Sequence, residues 1–155
     1  MTRDDFVARF GPVYEASPWV AEAAWPAAGG PEALAGSMRE IVDKAPRAQR
    51  LALIRAHPQL AVSGPMAEAS VEEQRGAGLD QCSPEELAAF RELNAAYLDR
   101  FGFPFIVAVK GLSRADILAA FRDRLQNDPE TEFATAIAQI HRIAGFRLAA
   151  LFDPG

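Results

Sequence analysis

Cysteine is almost missing from this chain: Cys82 is the only one among 155 residues. It has no partner for an internal disulfide, and no second cysteine stands at metal-ligand spacing. Histidine is scarce as well, with only His57 and His141. No zinc signature, Gly-rich phosphate loop or nucleophile elbow occurs. Positive charge is in deficit, with 16 Lys and Arg against 21 Asp and Glu, a net charge of −5 and a pI near 5.1. Without a basic tract, a nucleic-acid partner lacks electrostatic support. No apolar run reaches the roughly 18 residues of a membrane span, and "MTRDDFVARF" places acids where a signal peptide needs an apolar stretch. The lone cysteine fits a reducing compartment, and the expected location is cytoplasmic.

What is present is helix-forming. Half of the residues are hydrophobic and 24% are charged, as in ordinary soluble globules. The length suits one domain over 1–155, able to bury roughly 70% of its unfolded surface. Ala, Leu, Glu and Arg dominate, with few β-branched runs. Phe6 and Phe10 stand at i, i+4. Ser17 and Pro18 form a cap signal before "WVAEAAW", and "PAAGGP" (26–31) is a break. "PEALAGSMREIVDKA" puts Leu34, Met38, Ile41 and Val42 on one stripe, and Pro58 ends the helix that follows. Residues 61–69 read as a loop, and a short helix weakened by Gly-Ala-Gly follows them. The clearest helix opens with Ser83, Pro84 and Glu86 as a capping box and carries Leu87, Phe90, Leu93, Tyr97 and Phe101 on one face. "FGFPFIVAVKG" is the one extended-looking segment, and two helices follow it. The expectation is an all-α, single-domain bundle of six to eight helices.

Four places could carry chemistry. His57 precedes a proline, so it stands where a helix stops and the chain turns to extended geometry. It can cap the helix carbonyls or act as a proton donor or acceptor near neutral pH. Ser70-x-x-Glu73 matches a capping box, yet a helix start also binds anions, beside which Glu73 fits only if it points at a donor on the ligand, and Gln74 adds an amide. In the last helix the apolar stripe Phe133, Ile137, Ile140, Ala144, Leu148 and Leu151 draws Arg147 to the buried side. Arg142 falls on the solvent face, and His141 reads as a surface histidine. A guanidinium facing the interior needs an anionic partner. A salt bridge to Glu73 or Asp80 and a substrate clamp both meet that need. Asp99, Asp116 and Asp123 read as solvated helix charges. The backbone of "FGFPFIVAVKG", outside any helix, can either connect helices or read a flat polar heterocycle.

"LIRAHPQLA", "ASVEEQRGAGLDQCSPEEL", "LNAAYLDRFGFPFIVAVKG" and "IAGFRLAALF", in that order, resemble the OHCU decarboxylase family. "SPWVAEAAW" near the start fits as well. The run N-x-x-Y-x-x-R-F-G-F-P-F is the most specific part, and the resemblance covers nearly the whole chain. It implies an all-helical, cofactor-free and often homodimeric enzyme of urate degradation. The implied substrate is a small molecule, 2-oxo-4-hydroxy-4-carboxy-5-ureidoimidazoline (OHCU). By resemblance, His57, Glu73 and Arg147 are catalytic. Pro58, Ser70, Gln74 and the segment Phe105, Ile106, Val107, Ala108 and Val109 bind substrate. Gln59 and Val62 depart from the acid and the glycine that family members usually carry, and the loop from His57 to Ser70 is shorter than is typical. A decarboxylase or lyase acting on a related ureido-heterocycle, and a non-catalytic helical interaction module, are the alternatives.

Overall fold

The computed structural model describes residues 1–26, 29–62 and 68–152. Of the expected break over 26–31, residues 27 and 28 lie outside the described residues, as do 63–67 of the expected loop. Among the described residues there are eight α-helices and no strand. They are α1 (Arg3–Phe10), α2 (Trp19–Ala24), α3 (Pro31–Lys44), α4 (Arg47–Arg55), α5 (Glu68–Gly76), α6 (Pro84–Phe101), α7 (Arg114–Arg124) and α8 (Pro129–Phe152). No helix among them is long and apolar enough to cross a membrane.

The helix boundaries follow local chemistry. Ser83 caps α6 through the Glu86 amide while Glu86 reaches back to the Ser83 amide (3.1 and 2.9 Å), which satisfies two of the donors a helix start leaves open. Gly102 stops the helix in the left-handed region at φ 76°, where a side chain would be strained. Thr2 and Ser113 build the same boxes on α1 and α7. At α2 the expectation fails. Ser17 makes no cap, because its hydroxyl turns back to the Glu15 carbonyl (2.9 Å), and the helix starts one residue later behind Pro18.

The axis of the bundle is α8, which packs against α3, α4 and α6. Its buried face carries Phe133, Ile137, Ile140, Ala144 and Leu148, with Leu151 half-buried at the end. The expected stripe of α3 is buried at Leu34, Met38 and Val42, with Ile41 half-buried. The helices share one continuous apolar core.

One polar group lies deep in that core. Glu132 is 0% exposed and accepts from Tyr97 Oη (2.6 Å), Arg124 Nε (2.6 Å) and Asn127 Nδ2 (2.9 Å). Such a buried carboxylate is tolerable only when several donors replace water. Arg124 also donates to the Ile106 carbonyl and lies over the Phe105 ring, which stacks on Phe121 at 3.9 Å. The ion pair thereby pins the extended segment after α6 to the bundle. Tyr97→Phe keeps the ring packing and removes one charge-assisted bond, so it is expected to cost about 1.5–3 kcal/mol. Urea unfolding checks this: the midpoint falls while the m-value holds.

Candidate active site

The last turn of α4 sets the position of His57. The His57 amide bonds the Ile54 carbonyl (3.2 Å), and its Nδ1 lies 2.9 Å from the Leu53 carbonyl. A carbonyl only accepts, so Nδ1 carries the proton and Nε2 of the neutral ring is an acceptor. Burial is the main force on this ring and lowers its pKa. The Leu53 bond and the charges of Glu15 and Glu73 oppose that effect, and Arg147 adds to it. The neutral form is therefore favoured at pH 7. Capping and facing a cavity prove compatible, because one ring nitrogen caps the helix while the ring lines the cavity.

The chain after His57 is held by amides. Gln74 accepts from the Ala61 amide (3.1 Å) and donates to the Gln59 carbonyl (3.2 Å), while Asn94 donates to the Leu60 carbonyl (3.0 Å). Ala61 has φ 56°, a costly conformation for a residue with a side chain. The three bonds around it keep it in place.

Ser70 does not cap a helix. Helix α5 begins at Glu68, so Ser70 sits inside it, and its hydroxyl donates to the buried Glu15 carboxylate. Glu73, one turn on, takes a bidentate grip from Arg147 (Nε 2.9 Å, Nη2 2.8 Å). Arg147 also donates from Nη1 to the Pro12 carbonyl (3.1 Å) and to Glu15 (3.3 Å), and from Nη2 to Ser70 Oγ (3.1 Å). These are five bonds from a group with five N–H donors. Burial alone would depress the arginine, but the Glu73 bond and the charges of Glu73 and Glu15 more than offset it and raise its pKa. Of the two partners weighed from sequence, Glu73 is the one found. Asp80 instead lies 3.9 Å from Arg75.

These groups surround a cavity of about 340 Å³, the size that takes a small ligand. Its walls include His57, Pro58, Ser70, Glu73, Gln74 and Arg147 on one side and Phe105, Ile106, Val107, Ala108 and Val109 on the other. All eleven residues singled out in the sequence therefore meet in one place. The extended segment is partly committed: Ala108 donates to Gln139 (2.9 Å), Ile106 accepts from Arg124, and Val109 accepts from Leu112 (3.0 Å). Val107 has neither backbone group bonded among the described residues. Sequence reading missed Lys110, Ile143 and Phe146 in the wall, and Glu15 behind it. Glu15 is 2% exposed. A single acid inside the apolar run "GPVYEASPW" was its only signal, and its partner Arg147 lies 132 residues away. Among the described residues, no group of three or more His, Cys, Asp or Glu could hold a metal ion.

His141 is a second correction. It was expected on a polar surface and is buried. Its Nε2 donates to Asp43 (2.8 Å) and its Nδ1 accepts from Tyr14 Oη (2.8 Å). The apolar residues around it and the donor–acceptor chain it completes outweigh its place in the helical pattern. Arg142 is exposed, as expected.

Comparison with known proteins agrees on one family. A family model described as OHCU decarboxylase matches residues 1–149. The 2-oxo-4-hydroxy-4-carboxy-5-ureidoimidazoline decarboxylase of Haloferax volcanii is 42% identical over 97% of this chain and 90% of its own length. A crystal structure of (S)-allantoin synthase superposes with a TM-score of 0.80 at 34% identity over 97% of this chain, which spans about half (51%) of that one. A crystal structure of OHCU decarboxylase in the presence of (S)-allantoin shares the fold, with a TM-score of 0.76 at 24% identity over 96% of this chain and 97% of that one.

Arg147→Ala leaves the buried Glu15 carboxylate and the half-buried Glu73 carboxylate without their cation. A loss of about 3–5 kcal/mol is expected, seen as a large drop in the denaturation midpoint. Arg147→Lys, with one point charge in place of the fork, should recover only part of it.

Proposed function

The chain belongs to the OHCU decarboxylase family, and on that premise we propose that it decarboxylates OHCU to (S)-allantoin in urate degradation, without a cofactor, as one OHCU decarboxylase-like domain. The observation that carries this proposal is the His57 ring, held through Nδ1 by the Leu53 carbonyl and lining a cavity beside the Glu73–Arg147 pair.

The chemistry needs little more. One ring carbon of OHCU bears a carboxylate and a hydroxyl, next to a ring C=N bond. When the C–C bond to the carboxylate breaks, CO2 leaves and the electron pair moves into the ring towards that nitrogen. The ring nitrogen that receives the pair takes a proton from solvent, the ureido-bearing carbon takes a second proton, and the hydroxyl gives up its own to become a carbonyl. The substrate thus carries its own electron sink. His57 starts as a base, since its Nδ1 proton is held by Leu53 and Nε2 is open to accept the hydroxyl proton. Having become imidazolium, it is the acid that can return a proton to one face. Glu73 accepts from ureido or ring N–H groups, and Gln74 and Ser70 lie on the same wall. Val107 offers a backbone N–H and C=O to a flat heterocycle. Oriented dipoles in a site that excludes water act strongly on developing charge.

Arg147 has a different part from the direct clamp first weighed. All five of its donors are engaged by the protein, so it serves the reaction by holding Glu73 in register. Cytoplasmic location and a homodimer belong to the same proposal, supported by the lone, half-buried Cys82 and by the family's habit.

The test starts from freshly generated OHCU, made by urate oxidase and hydroxyisourate hydrolase, with circular dichroism following the rise of optically active allantoin. A fast rise of one enantiomer is expected, and no rise above background from folded protein would refute the activity. His57→Asn can keep the bond to Leu53 but loses the titrating ring. It should lose about 10²–10⁴ in turnover with little change in melting temperature, and Glu73→Gln should act in the same direction. The pH profile follows from the lowered His57 pKa. A base whose pKa is lowered stays neutral below the ordinary histidine value of about 6.5. Activity should therefore hold through pH 6.5 and fall only in more acid solution.

A further inference from the structure

Glu15 is a buried charge beside the cavity that the proposed reaction leaves without a role. It is outside the cavity wall, yet its two oxygens reach two residues that are in it. One accepts the Ser70 hydroxyl proton, and the other lies 3.3 Å from Arg147 Nη1. Two consequences follow from counting donors. A serine hydroxyl has one proton and two lone pairs. The proton goes to Glu15 and one lone pair takes Arg147 Nη2 (3.1 Å). What remains for the cavity is a single lone pair, so Ser70 faces a ligand as an acceptor only. The guanidinium is planar and rigid, so fixing Nη1 on Glu15 and Pro12 also fixes the edge, Nε and Nη2, that grips Glu73.

We propose that Glu15 is a positioning residue: through Ser70 and Arg147 it presents Ser70 Oγ and the Glu73 carboxylate as an acceptor pair on the α5 wall, shaped for the N–H groups of a ureido substrate. This rests on the decarboxylase proposal for the substrate but not for the geometry. The backbone around Glu15 is held in a local turn. Ala16 has φ 46°, a strained turn for a residue with a side chain, and the Ser17 hydroxyl bonds the Glu15 carbonyl across it (2.9 Å).

Two variants test it. Glu15→Gln keeps the shape, loses the charge and can donate to Ser70, reversing the direction of that bond. Glu15→Asp keeps the charge but is one methylene too short to reach both partners, and it decides the matter if the glutamine variant does not fold. Each folded variant is expected to lose about tenfold or more in kcat while KM changes less than about threefold, since Glu15 touches no substrate. A folded variant with wild-type kcat would overturn the proposal, because a purely structural glutamate affects melting and not turnover. Nitrogen NMR of the Arg147 guanidinium gives a second readout that needs no substrate. The wild type should show resolved, slowly exchanging Nη signals that collapse in both variants, and unchanged signals would overturn the proposal. If the wild type itself fails to turn over OHCU, the decarboxylase proposal fails, while the NMR result still decides the role of Glu15.

Discussion

The guanidinium of Arg147 is the point on which the site depends. It is 9% exposed, and a cation removed from water must recover its hydration from fixed partners. Here the partners come from two separate stretches of chain, Pro12 and Glu15 on one and Ser70 and Glu73 in α5 on the other, and both are drawn to α8. Satisfying one arginine thus forces three segments into register. Its position one turn after Ala144 and one turn before Leu151 keeps it on the buried side of α8. The apolar core therefore determines where the charge sits, and the charge determines where α5 sits.

That arrangement has an electrostatic consequence for catalysis. Two carboxylates meet one guanidinium, so the cluster beside His57 carries a net negative charge. Burial lowers the pKa of the ring, while Glu15 and Glu73 work against burial. A resting neutral base near an excess of negative charge can take up a proton without leaving an isolated cation in a dry pocket. The same excess argues against the cluster as the place where a substrate carboxylate would rest. The N–H side of a ureido-heterocycle suits it better. Strong binding of the substrate carboxylate in the ground state would oppose the loss of CO2.

The helices were legible because their signals are local. The capping box at Ser83, the stripes of α3 and α8 and the break at Gly102 lie within a few residues of what they control. Arg147 was legible for the same reason, since the helical period alone draws it to the buried side. The surface reading of His141 and the capping alternative for Ser70 failed where a local pattern competed with a distant partner. His141 lies 127 residues from Tyr14 and 98 from Asp43, and Ser70 lies 55 from Glu15. Ser70-x-x-Glu73 has the spacing of a capping box, yet both side chains are committed to tertiary partners. No periodicity encodes such pairings. Glu15 was missed entirely because its function exists only in the folded chain.

The stretch from Pro12 to Ser17 shows how far a site can extend beyond its walls. It is tied to α8 twice. Tyr14 is held by His141, itself anchored on Asp43, and Pro12 and Glu15 are held by Arg147. Residues 141 and 147 are six apart, about 9 Å along a helix and on different faces, so the two ties prevent the stretch from sliding or rolling. A single tie would leave it free to pivot, and a carboxylate on a pivot could not direct the Ser70 hydroxyl. The histidine that was expected on the surface, and that touches nothing in the cavity, is thus one of the reasons that the cavity has a defined hydrogen-bonding pattern.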